Sequence, residues 1–206
     1  MKDSFRFALI SLIAFSITYS LTLFIQNELI TNAVIISFLL QWVLFFPAYF
    51  YQTEKFYDIS GSFNYILIVS YIYINNHITY GFNIGNLVLS FLIFIWAIRL
   101  GMFLFLRIQK DGEDKRFGSI KPSATKFFMT WTIQATWVSI CSLCALTGIS
   151  SNSGVVINNL FFLGLTFFIV GFFIEVVADI QKTKFRKKPK NKNNFITTGL
   201  WAYSRH

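Results

Sequence analysis

Acidic residues are scarce in this chain: nine of 206, against eighteen Lys and Arg, which gives a formal net charge of +9. Charge of either sign is thin, at 13%, whereas 55% of the residues are hydrophobic and the mean hydropathy is +0.57. So few charged side chains cannot coat an ordinary soluble domain of this size, and that class is excluded. Cysteine is nearly absent, with only Cys141 and Cys144. Adjacent turns of one helix suit a disulfide poorly and two thiols cannot close a zinc site, so no metal is expected, and the pair reads as small residues that let helices pack. With three prolines, little interrupts the long apolar runs.

A membrane-spanning helix needs roughly 20 mainly apolar residues. Windows at about 5–25, 33–52, 62–79, 84–106, 126–147 and 157–178 meet that requirement. The expected architecture is therefore all-α: a polytopic transmembrane helical bundle of about six spans, forming one domain over residues 1–206. The first window follows Lys2 and Arg6 as a secretory signal would, but it is long and lacks a small-residue cleavage site, so it reads as a span. The third is the weakest, because Asn75, Asn76 and His77 interrupt it and a re-entrant segment is the alternative.

Cytoplasmic loops of membrane proteins are enriched in Lys and Arg. Under the six-span reading, 17 of the 18 basic residues fall on one side: Lys2 and Arg6, Lys55, the run from Arg107 to Lys126, and eight in the tail from Lys182 to Arg205. The eighteenth, Arg99, lies two turns inside the fourth helix from Arg107, and the opposite loops hold none. Both termini are accordingly expected in the cytoplasm, with the chain integral to the inner membrane. Residues 182–206 then form a cytoplasmic basic segment whose positive charge meets anionic lipid and needs no nucleic acid to explain it.

Ionisable side chains inside a bilayer are costly and mark functional positions by default. Arg99, Glu175 and Asp179 qualify. Glu175 and Asp179 are four apart and share one helix face, and Arg99 occupies a similar depth, so an ion pair between Arg99 and Glu175 is geometrically reasonable. The loop QTEKFYDISGSFNY concentrates Glu54, Lys55, Tyr57 and Asp58 between apolar helices, and RIQKDGEDKRF alternates charges around Gly112. The tail ends FITTGLWAYSRH, whose aromatic and basic residues suit stacking on a planar ring and holding phosphate.

Five stretches, TEKFYDISGSFNY, WAIRLGMFLFLRIQKDGEDKRF, WTIQATW, GFFIEVVADIQKTKF and TGLWAYSRH, resemble the steroid 5-alpha-reductase-like membrane reductases, in particular their microbial branch. The resemblance implies a helical membrane enzyme that takes NADPH from the cytoplasmic side and reduces an activated carbon–carbon double bond of a steroid-like or other lipid. It implies cofactor contacts from Glu175, Asp179, Arg186, Trp201, Tyr203, Ser204, Arg205 and His206, and from Arg99 and Arg107. Glu54, Tyr57 and Asp58 are the catalytic candidates, because an enone carbonyl must be polarised or protonated as hydride arrives and a Tyr or carboxyl group can do this.

Members of that family continue beyond the Arg-His pair with a Pro-Asn-Tyr-Phe-Gly-Glu-like segment and further hydrophobic helices, whereas this sequence stops at His206. The expectation is a truncated member lacking one or two C-terminal helices. Two alternatives stand beside the reductase: an S-adenosylmethionine-dependent methyltransferase of the isoprenylcysteine type, which shares a related Arg-His-Pro motif, and an inactive remnant.

Overall fold

The computed structural model describes residues 2–191 and 194–204. It contains six long helices: α1 (Lys2–Ile25), α2 (Glu28–Phe50), α3 (Tyr57–Tyr80), α4 (Ile84–Asp111), α5 (Ala124–Ser150) and α6 (Asn159–Arg186). Short 3-10 turns lie at Lys115–Ser119, Pro189–Asn191 and Gly199–Ala202. The helices begin where a polar side chain can serve the orphan N–H groups of a first turn. Asn27, Asn83 and Asn158 cap α2, α4 and α6, and Ser123 caps α5, each accepting from the amide three residues on. Gly112 closes α4 at φ +82°, a conformation that a side chain resists.

The expectation of an all-helical membrane bundle holds, and α1, α2, α4, α5 and α6 are long and apolar enough to cross a bilayer. The third segment differs from expectation. It is one continuous 24-residue helix through Asn75–His77, as long as α1, yet too polar to stand among the five. Packing explains how it is tolerated, because Ser60, Ser62, Asn64 and Asn76 are all buried. Polar groups inside a bundle are paired across helices instead of facing lipid.

The backbone forms two compact units, the first holding α1–α5 and the second beginning at Val156 with α6. In the first, α3 packs between α2 and α4, and α5 lies against α1, α2 and α3. Its core runs through Ile30 and Ala33 of α2, Ile68, Val69 and Ile72 of α3, Ala97 of α4, and Val138, Leu146 and Ile149 of α5. Small residues set the spacing: a Cβ on Gly101 would lie 2.6 Å from Ser62 Cβ and Oγ, so α4 and α3 approach at that level only because the side chain is absent. Mid-bundle, Asn64 Nδ2 donates to Ser37 Oγ (2.9 Å) and Ser139 Oγ to the same oxygen (3.3 Å), joining α2, α3 and α5. Cys141 and Cys144 form no disulfide and are exposed on α5, and Cys141 meets the Tyr65 side chain of α3.

Candidate functional site

The two ends of the first unit are chemically opposite. At one end, amides and hydroxyls do the joining. Asn86 is buried, donates to Asn76 Oδ1 (2.8 Å) and the Ile149 carbonyl (3.2 Å), and accepts the Val155 N–H (2.8 Å). Asn27 Nδ2 donates to Ser150 Oγ (3.1 Å), and Asn83 Nδ2 to the Ser153 carbonyl (3.0 Å). These are the connections that carry no Lys or Arg.

At the other end the α2–α3 connection meets the α4–α5 connection through charge. Glu54 is buried; its Oε2 takes the Lys121 ammonium at 2.5 Å and its Oε1 accepts the Asp114 N–H at 2.9 Å. Burial pushes the Glu54 carboxyl up, but Lys121 and the Asp114 N–H outweigh it, and the group sits below the ordinary carboxylate range. Asp114 in turn is held below its usual value, chiefly by the Arg116 guanidinium hydrogen-bonded to it. Asp58 and Arg107 pair loosely at 3.6 Å, each about one-third exposed.

Beneath these charges lies an aromatic layer of Phe45, Phe117, Phe127 and Trp131. Tyr57 packs edge-on against Phe117 and Trp131, with centroids 5.1 and 5.2 Å away. Its hydroxyl donates to the Thr130 carbonyl (3.0 Å), and its carbonyl accepts from Gln134 Nε2 (2.9 Å). Of the three catalytic candidates, then, Glu54 and Tyr57 have their polar atoms committed to joining loops and helices. Asp58, partly open and beside a cation, retains an accessible carboxylate.

The second unit builds a site of its own. Glu175, Asp179, Lys182 and Arg186 recur at spacings of four, three and four, which places them along one stripe of α6. A strap after the helix folds back onto it: Trp201 Nε1 donates to the Ala178 carbonyl (3.0 Å) and the Leu200 N–H to Gln181 Oε1 (3.0 Å). Gly199 takes φ +66° where the strap turns onto Gln181. The Lys182 ammonium stands 4.7 Å from the centre of the Trp201 ring. Between strap and helix is a cavity of about 810 Å³, walled by Lys182, Arg186, Phe185, Phe195, Ile196 and Trp201 among others.

Of the cofactor-binding candidates, Arg186 and Trp201 thus line one cavity, with Glu175 and Asp179 on the α6 stripe that leads to it. Tyr203 is exposed at the strap's end, and Ser204 follows it. Arg99 and Arg107 belong to α4 of the first unit. Arg205 and His206 lie outside the described residues. No group of three or more His, Cys, Asp or Glu side chains suited to a metal occurs among the described residues. Sequence reasoning missed Lys121 and Asp114 as partners of Glu54, and Lys182 as a wall of the cavity.

A family model described as a protein of unknown function, DUF1295, matches residues 42–206. The chain belongs to the DUF1295 family. The ionic end, the aromatic layer and the whole α6 cavity fall within the DUF1295 match, whereas α1 precedes it. No curated protein and no solved structure matches the chain.

Proposed function

We propose that this DUF1295 protein is a membrane-bound, NADPH-dependent reductase of an activated carbon–carbon double bond in a lipid, with its ionic end and basic tail on the cytoplasmic side. The observation that carries the reading is the α6 cavity, where two cations and an indole converge in a volume typical of small-molecule sites. Lys182 and Arg186 supply the charge that a phosphate requires, and Arg186 adds the planar fork that grips phosphate oxygens in pairs. Trp201 offers a ring face, and Glu175 and Asp179, one turn apart, are acceptors of the kind that hold ribose hydroxyls. These residues fit a phosphorylated dinucleotide. The steroid 5-alpha-reductase-like stretches support the same assignment, since GFFIEVVADIQKTKF contributes Lys182 and Phe185 to the cavity and TGLWAYSRH contributes Trp201 and Ala202.

NADPH, when bound, supplies hydride. The chain's own part in the chemistry is to polarise the acceptor and deliver a proton. Asp58 is the proposed group: its carboxyl is partly open, so in the protonated form it can give its proton to the substrate, and Arg107 beside it can steady the carboxylate that results or the oxygen of a bound carbonyl. Glu54 and Lys121 act as positioning residues, fixing the connection from which α3 presents Asp58.

Binding of NADPH to the full chain in detergent, read by thermal shift, tests the assignment. Saturable stabilisation by NADPH, weakened at least about tenfold by Arg186→Gln as expected for loss of one charged phosphate contact, supports it. Stabilisation by S-adenosylmethionine but not by NADPH sinks it in favour of a methyltransferase.

A further inference from the structure

We infer that the exposed basic run after α6, together with the strap that follows, forms a seat for the anionic phospholipid headgroups of the leaflet in which α6 ends. The proposal is independent of what the α6 cavity binds. From Ile180 to His206 the sequence contains no Asp or Glu. Among the described residues, the Lys and Arg of this stretch divide into two sets. Lys182 and Arg186 line the cavity, and Lys182 lies over Trp201. Lys184, Lys187, Lys188 and Lys190 are exposed and contribute nothing to the cavity wall.

The strap gives the second observation. Trp201 is tied to the Ala178 carbonyl, and Ala178 is the last residue of the apolar window at about 157–178. Arg186 lies eight residues further along α6, or roughly 12 Å of helix rise. The chain therefore leaves the helix at its basic end and returns to the level where the apolar run stops. That is the depth at which Trp and Tyr collect in membrane proteins. Along the returning strap Phe195 is 82% exposed and Tyr203 92% exposed, a state that a headgroup layer suits and bulk water does not. Exposed cations beyond the helix end and exposed aromatic rings at the interface match the two halves of an anionic lipid surface: phosphate above, acyl boundary below.

The test is hydrogen exchange of the full chain reconstituted in vesicles of phosphatidylcholine alone, or of phosphatidylcholine doped with phosphatidylglycerol. The expected result is backbone exchange across residues 194–204 slowed by at least about tenfold in the doped vesicles, with α1–α5 unchanged. The slowing should vanish at high salt and in the Lys187→Gln, Lys188→Gln, Lys190→Gln variant. Unchanged α6 exchange in phosphatidylcholine vesicles shows that the variant is folded. Equal exchange in the two vesicle types overturns the proposal, as does slowing that survives both high salt and the triple substitution. Slowing reproduced by inorganic phosphate in phosphatidylcholine vesicles overturns it too, assigning the surface to a free anion.

Discussion

Replacing Glu54 by Gln removes one charge from a covered ion pair and leaves the other in place. Glu54 is 5% exposed and the Lys121 side chain 18% exposed, so the pair sits between the surface and interior regimes. Exposed pairs contribute about 0–1 kcal/mol, and breaking a fully buried one costs about 3–5 kcal/mol. Lys121 can still reach some water, and Gln keeps an acceptor for the Asp114 N–H, so the expected cost is about 2 kcal/mol. For a chain of this length that corresponds to a melting temperature lower by roughly 4–8 °C.

The pH dependence supplies a sharper signature. The folded Glu54 carboxyl lies below its ordinary value of 4.5, so its stabilisation is fully present above that value and is lost as pH falls through the folded value. Wild type and Glu54→Gln should therefore differ in melting temperature at pH 7, and the gap should close only as the pH falls through the lowered Glu54 value, below 4.5. Thermal denaturation in detergent across that range is the assay. Pairing the substitution with Lys121→Met should show coupling of about 1–2 kcal/mol in a double-mutant cycle. Equal melting temperatures at pH 7, or a gap that does not narrow as the pH is lowered from 4.5 through the acid range, would refute the assignment of Glu54 to joining the two connections.

Two further substitutions probe the helix contacts. Gly101→Ala places a methyl 2.6 Å from the Ser62 side chain and should destabilise by about 1–3 kcal/mol, with Ser62→Gly restoring part of the loss; absence of rescue in the double variant would show that the strain lies elsewhere. Asn86→Ala strips three hydrogen bonds from the uncharged end and should cost about 2–3 kcal/mol, read as faster hydrogen exchange around residues 149–155 while the ionic end stays protected.

The helices were largely legible because bilayer thickness imposes a length that hydropathy reports directly. The window at 84–106 nevertheless stops short of α4, which continues to Asp111, because the final turns carry charge and leave the apolar signal while remaining helical. Helix α3 was hard for the converse reason: Asn75, Asn76 and His77 lower its hydropathy, yet the Asn76 amide is satisfied by the Ser151 carbonyl and Asn86 in three dimensions. The charge-bearing connections were recognisable by composition, and Glu54, Asp58 and Arg107 were singled out. What sequence could not give was the pairing of Glu54 with Lys121, 67 residues away, and that pairing turns Glu54 from a chemical candidate into a brace. In the tail, the helical spacing of Glu175 and Asp179 was plain, but the return of Trp201 to Ala178 depends on the strap's turn at Gly199 and left no periodic trace.

The most direct test of the reductase reading follows the hydride itself. The full chain, reconstituted in vesicles with lipid extract, is supplied with NADPH carrying deuterium at the transferable position, and the lipids are analysed by mass spectrometry. The account predicts deuterium in a reduced lipid, with incorporation lost in Asp58→Asn although that variant melts as wild type does. Deuterium absent from every lipid, with labelled methyl transferred from S-adenosylmethionine in a parallel reaction, would contradict it.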